Sequence, residues 1–209
     1  MVKKSTKKKE FEISKNKLTN ENRILRNLLF TFVIILIVIA GFYFYTQSQI
    51  HFKYKGIEFT REDFCDVKPC IITYKTSVPV SYNGAVVPYN FYFRTKPTDL
   101  NKVNFDTENF ELMKSVVYSE EGNFSCDGYG SIAVANLANL YKVIGVNIMK
   151  DENATCDAEG RYTYLTVKEG DETKIVQVGN QCYDIYVKDC EVLPALEKIM
   201  AEVLVKLEE

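Results

Sequence analysis

RYTYLTVKEGDETKIVQVGNQCYDIYVK, residues 161–188, reads as three strands joined by two short turns. The runs are 161–168 (RYTYLTVK), 173–178 (TKIVQV) and 182–188 (CYDIYVK), each rich in β-branched and aromatic residues at a period near two. Glu169 to Glu172 and Gly179-Asn180 supply the turns, so the expected arrangement is an up-down-up meander. In a meander the first and third strands run the same way, and their starts lie at one end.

Working outward, strands are expected near 50–59 (IHFKYKGIEF), 71–76 (IITYKT), 89–94 (YNFYFR) and 112–118 (LMKSVVY), with turn signals at Asn83-Gly84 and Pro97 to Asp99. Residues 131–144 (SIAVANLANLYKVI) read as a buried, Ala-rich helix closed by Gly145. Residues 192–207 place Leu196, Ile199, Met200, Val203 and Leu207 on one stripe, with Pro194 in the first turn, as in an amphipathic helix. Short connections between seven strands, interrupted by two helices, define an α+β domain: a mainly antiparallel sheet with both helices packed on one face. A composition of 46% hydrophobic and 13% aromatic residues excludes global disorder.

Before that domain stands LLFTFVIILIVIAGFYFY, residues 28–45, eighteen positions without a charge. As a helix it covers ~27 Å, enough to cross a bilayer once, and Phe42 to Tyr45 form an aromatic belt at one end. Bulky Phe and Tyr occupy the place where a signal peptidase needs small residues, so the segment reads as an uncleaved signal anchor. Residues 1–26 carry nine Lys or Arg against three Glu, while residues 46–209 carry seventeen basic residues against twenty-five acids. The basic flank predicts an N-terminus held in the cytoplasm and a C-terminal domain outside it. The organisation is therefore a cytoplasmic leader at 1–26, a single transmembrane helix at 27–46 and an extracytoplasmic domain at 47–209. The leader reads as a solvated basic tail, with Thr19 or Asn20 as the cap of the helix that follows.

All six cysteines, Cys65, Cys70, Cys126, Cys156, Cys182 and Cys190, fall on the outer side, where an even number implies three disulfides. Cys65 and Cys70 flank the turn-forming stretch 66–69 and suit a local bridge. Cys182 and Cys190 stand about 26 Å apart if the residues between them form one strand, beyond the reach of a disulfide. The shared polarity of the first and third strands brings Cys156 toward Cys182. Cys190 is then left for Cys126, so the expected pairs are 65–70, 126–190 and 156–182.

The inventory for catalysis is thin. His51 is the only imidazole and lies beside the membrane segment, so nucleophile systems that need a histidine base have none in the globular part. No residue is assigned a catalytic role, no cysteine spacing or acidic loop suits zinc or an EF-hand calcium site, and no cofactor is implied. Gly128-Tyr129-Gly130-Ser131-Ile132-Ala133 fits the letters of a dinucleotide fingerprint, but the long approach from the preceding strand and an antiparallel sheet argue for a turn into a helix instead. A net charge of −8 over residues 46–209 disfavours nucleic acid. Asn123-Phe124-Ser125 and Asn153-Ala154-Thr155 are glycosylation sequons in polar loops, within the similar octets NFSCDGYG and NATCDAEG. Seven tyrosines, Tyr82, Tyr89, Tyr92, Tyr162, Tyr164, Tyr183 and Tyr186, can make a contact surface if they share an outer sheet face.

At YKGIEF (54–59), FRTKPTDL (93–100) and CDGYGSIAVANLANL (126–140), together with the later cysteines, the chain resembles uncharacterised single-span proteins of small archaea. That likeness implies an anchored, exported domain and supplies no activity; Cys65 and Cys70 stand outside it. The expected function is a non-enzymatic, membrane-anchored interaction or binding module for a protein or envelope component. The alternatives are an envelope hydrolase with a carboxylate pair and an accessory subunit of a membrane complex.

Overall fold

The computed structural model describes residues 3–65, 70–82, 84–107 and 110–208, with side chains from residue 25 onward except residue 82. The chain divides into two compact units, Met1–Gln49 and Ile50–Glu209. The first is one helix, α1 (Lys3–Ile50), whose stretch Leu25–Ile50 is long and apolar enough to cross a membrane. Every side chain from residue 25 to 45 is exposed, the opposite of a buried core helix. Because the helix starts at Lys3, Thr19 and Asn20 lie within it and do not cap it, and the basic leader is continuous with the apolar part.

The second unit holds two sheets. In the first, β1 (His51–Tyr54), β2 (Ile57–Phe64), β3 (Ile71–Tyr82) and β4 (Ala85–Phe93) lie in chain order and pair antiparallel. Residues 50–59, expected as one strand, fold as the β1–β2 hairpin. Lys55 (φ 50°) and Gly56 (φ 90°) both turn left-handed, the backbone a two-residue hairpin requires. The turn expected at Asn83-Gly84 falls between β3 and β4; Gly84 has φ 78°, and Asn83 lies outside the described residues. The turn-forming stretch 66–69 also lies outside them.

The second sheet comprises β5 (Asn104–Asp106), β6 (Ser115–Glu121), β7 (Asn147–Lys150), β8 (Thr163–Glu169), β9 (Lys174–Gly179) and β10 (Cys182–Val187), in the spatial order β5-β9-β10-β8-β6-β7. Here the antiparallel expectation fails for all pairs but β9–β10: β5–β9, β10–β8, β8–β6 and β6–β7 are parallel. The strands of 161–188 do alternate up, down, up, yet they are not a meander, because β10 inserts between β8 and β9. Its composition explains the position. Cys182 to Ile185 and Val187 are all buried, so both faces of β10 are covered, as only an inner strand's can be.

Two helices, α2 (Tyr129–Val143) and α3 (Val192–Glu208), pack on each other between the sheets. α3 touches β2 and β10, and α2 touches β4 and β7. Both helices thus cover one face of the second sheet, and the first sheet closes over them as a third layer. One core runs through all three layers, from Phe59 and Phe93 through Leu137, Leu196 and Met200 to Leu165 and Ile185. The middle position explains why α3 is the more deeply buried helix although its pattern is amphipathic: even Glu197 (0% exposed) and Lys198 (4%) are covered. α2, expected to be buried, leaves Ser131, Ile132 and Ala135 exposed. It ends as expected at Gly145 (φ 79°): the Gly145 and Val146 amides donate to the carbonyls of Lys142 and Tyr141, closing a Schellman motif.

Candidate binding cleft at the strand ends

β6, α2 and β7 form a strand–helix–strand crossover between parallel neighbours. Parallel β10, β8, β6 and β7 therefore point their carboxyl ends at one rim, the place where open α/β sheets hold ligands. That rim is hollow. A cleft of 520 Å³ opens beside β6 and β7, lined by Glu120, Asn123, Ser125, Ser131, Ala135 and Lys150 among others. A second of 340 Å³ opens beside β8 and β10, lined by Glu169, Gly170, Val187 and Asp189. Asn123 and Phe124 line both and form the ridge between them.

The larger cleft has two kinds of wall. α2 offers Val134, Ala135 and Ala138, small apolar side chains. The strand side carries a charged cluster: the Tyr118 hydroxyl donates to Glu120 Oε1 (2.7 Å) and the Lys150 ammonium donates to Glu120 Oε2 (2.7 Å). Burial, and then the bond to Glu120, push the Tyr118 hydroxyl above its ordinary value. The bond to Glu120 also raises the Lys150 ammonium.

The glycines at the start of α2 have a different task from the one their letters suggest. A side chain on Gly130 would strike the Phe124 carbonyl oxygen, so the close approach here is to the chain's own backbone. The amides of Gly128 (2.8 Å) and Gly130 (3.2 Å) are already bound by the Ser125 carbonyl, which removes donors a phosphate would need. Although the local sheet is parallel, contrary to the expectation used against it, the dinucleotide reading fails on this geometry.

The three bridges are Cys65–Cys70, Cys126–Cys190 and Cys156–Cys182, with Cα separations of 4.3, 5.6 and 5.7 Å. Cys126–Cys190 ties the entry of α2 to the entry of α3 and stands beside the ridge. Cys156–Cys182 crosses so close to β9 that a Cβ on Gly179 would lie 2.8 Å from Cys156 Sγ. Strand polarity alone was needed for this pairing, which is why it survives the changed strand order.

Asn123 and Asn153 are both exposed. Asn123 Oδ1 accepts the Ser125 amide (3.1 Å), an Asx turn within the first sequon. In the second octet, Asp157 receives the Arg161 amide (2.8 Å) and guanidinium (2.9 and 3.0 Å), which hold its carboxyl down to about 2. Asp127 instead occupies a left-handed turn (φ 54°), so the octets do not share a structure.

The described tyrosines do not gather on one surface; the Tyr82 side chain lies outside the described residues. Tyr183 is buried against Phe105 and Phe110, the Tyr162 hydroxyl donates to the Thr155 carbonyl, and Tyr89 and Tyr92 lie on opposite faces of β4. Only Tyr164 and Tyr186 share the outer face of the second sheet. There Lys168 binds both Asp184 (3.0 Å) and Glu121 (3.4 Å); burial lowers the Lys168 ammonium, but the two carboxylates outweigh it and raise the balance. Comparison with protein families, curated proteins and solved structures returned no match.

Proposed function

We propose that the chain is a membrane-anchored, non-enzymatic binding module whose domain stands outside the cytoplasm of the cell membrane and takes a protein or envelope component. The basic flank of α1 supports the orientation, and six bridged cysteines suit an oxidising compartment. The observation that carries the binding reading is the 520 Å³ cleft at the carboxyl ends of β6 and β7. Its small apolar wall on α2 faces a fixed Glu120–Lys150 pair, which suits a ligand segment with one apolar and one polar edge. The hydrolase alternative needs two carboxylates with different environments, and this cleft offers Glu120 alone, tied to Lys150 and Tyr118. Elsewhere, Glu121 and Asp184 are clamped by one lysine, Glu197 is sealed in the core, and Glu169 and Asp189 at the smaller cleft are both exposed, without the burial that would set one apart from the other.

Placing a photo-reactive amino acid at Ala135 in the full chain tests the reading in native membranes, with Val178 on β9 as the exposed control position. A discrete adduct is expected from Ala135, none from Val178, and loss of the adduct in Lys150→Glu. Equal labelling at both positions would overturn the proposal. So would turnover of a glycan or peptide substrate abolished by Glu120→Gln.

A further inference from the structure

The longest hairpin in the domain runs past everything that could cover it. β2 pairs with β3 only from Phe64↔Ile71 to Thr60↔Lys75, while β3 and β4 continue together to Tyr82↔Ala85. Six rungs, Ser77↔Asn90 to Tyr82↔Ala85, thus form a two-stranded arm about 17 Å long. Every residue from Ala85 to Asn90 is exposed, so neither face of β4 is covered there. At the base Phe91 and Phe93 are buried. Val78 still reaches a groove lined by Leu204 and Leu207, but farther out Val86 is 75% exposed and Val87 37%.

The arm is uncharged. Residues 76–93 contain no Asp, Glu, Lys or Arg, and Lys75 and Arg94 bracket them at the base. Apolar groups occur on both faces: Val78, Val80, Val87 and Tyr89 on one, Pro79, Val86 and Pro88 on the other. They are graded along the strands. Valines surround the tip, and Tyr89, three residues nearer the base, lies ~10 Å from Val86 at the rise of a strand.

The edges have been blunted. Pro79 and Pro88 face each other across the ladder. Neither has an N–H, so theirs is a rung without hydrogen bonds, and both ring nitrogens point away from the partner strand. Each open edge of the arm therefore lacks a donor at the same level, which opposes addition of another strand and leaves fewer amides to be stranded in an apolar medium.

We propose that the β3–β4 arm dips its Val80, Val86 and Val87 tip into the interfacial layer of the bilayer that the chain's own helix crosses. A hairpin that is neutral throughout and carries apolar groups on both faces, with Ser77, Ser81 and Asn90 the polar residues of the second, fits a medium that surrounds it, whereas a protein groove asks for one face. The ~10 Å from Val86 to Tyr89 matches the depth to which interfacial segments sink, with tyrosine at the headgroup level. The inference rests on the membrane anchor and is independent of the cleft.

The full chain, reconstituted in phosphatidylcholine–phosphatidylglycerol nanodiscs, tests this with an environment-sensitive fluorescent amino acid at Val86 or at exposed Val178. Expected are a blue-shifted emission at Val86, loss of most of its fluorescence when the lipids carry a doxyl quencher, and no change at Val178. A probe at Ala85 should show the same quenching and lose it in the Val86→Asp, Val87→Asp double variant, whose thermal unfolding stays unchanged because both side chains are exposed. Equal, unquenched signals at Val86 and Val178 would overturn the proposal. So would quenching at Ala85 that survives the two aspartates, or shielding of Val86 that appears only in native membranes, which would assign the arm to a protein partner. Failure of the chain to float with lipid at all would refute the anchor, a separate result.

Discussion

Glu197 sits at the middle of α3 with no exposed surface, and its carboxylate accepts the Arg94 amide (2.6 Å) and the Thr95 amide (2.9 Å). Burial drives its pKa up to about 7, against the opposing effect of those two donors. A group raised in the folded state contributes its full stability below its unfolded pKa and loses it as pH climbs through the folded value. Between pH 5 and pH 8 the folded carboxyl ionises while the unfolded one already has, so this residue alone should cost the domain roughly 2 to 3 kcal/mol over that window. Glu197→Gln keeps the shape and removes the titration. Urea unfolding of the full chain in non-ionic detergent, followed by near-ultraviolet dichroism of its tyrosines with disulfides intact, gives the two pH profiles. The wild type should lose stability relative to the variant as pH rises from 5 to 8. The variant, one of whose amide acceptors has become a donor, should be the weaker protein at pH 5, by about 1 to 3 kcal/mol. Parallel profiles would refute the reasoning, since they would mean that the carboxyl titrates alike folded and unfolded.

Replacing the bridges one at a time by serine pairs should rank them by the loop each closes. Separations of 64, 26 and 5 residues imply losses near ~4, ~3.5 and ~2 kcal/mol for 126–190, 156–182 and 65–70, and denaturation midpoints in the reverse order would contradict this. Gly130→Ala sets a helix-propensity gain of up to ~1 kcal/mol against a collision with backbone that cannot swing aside, costing ~1 to 3 kcal/mol, so a lowered melting temperature is expected. Gly41→Ala, where a Cβ meets nothing within 4 Å, is the control that should show no loss.

What the amino-acid sequence could and could not reveal follows from how each feature is encoded. Period-two runs and turn residues are local, so β8, β9 and β10 and their directions were legible, and directions suffice to pair Cys156 with Cys182. Spatial order is not local: β10 is central because both of its faces are covered, the outer one with Asp184 held by Lys168, a fact that becomes a position only when the neighbours are known. β7 was missed because Asn147–Lys150 contains two apolar residues, too few for any period, although its pairing with β6 is what turns β6 and α2 into a crossover and opens the cleft. The Ala-rich run of α2 looked like core because alanine is apolar. Small side chains are also what a cleft wall needs, and Ser131 and Ala135 serve that use. The same ambiguity governs the β3–β4 hairpin. Val86 and Val87 lie outside the strand expected at 89–94, and only the end of the β2–β3 pairing at Thr60↔Lys75 shows that, among the described residues, no third strand is there to receive them. An uncharged apolar segment thus has two possible solvents, the protein's interior or the membrane's surface, and the choice is made by which one the rest of the chain has left vacant beside it.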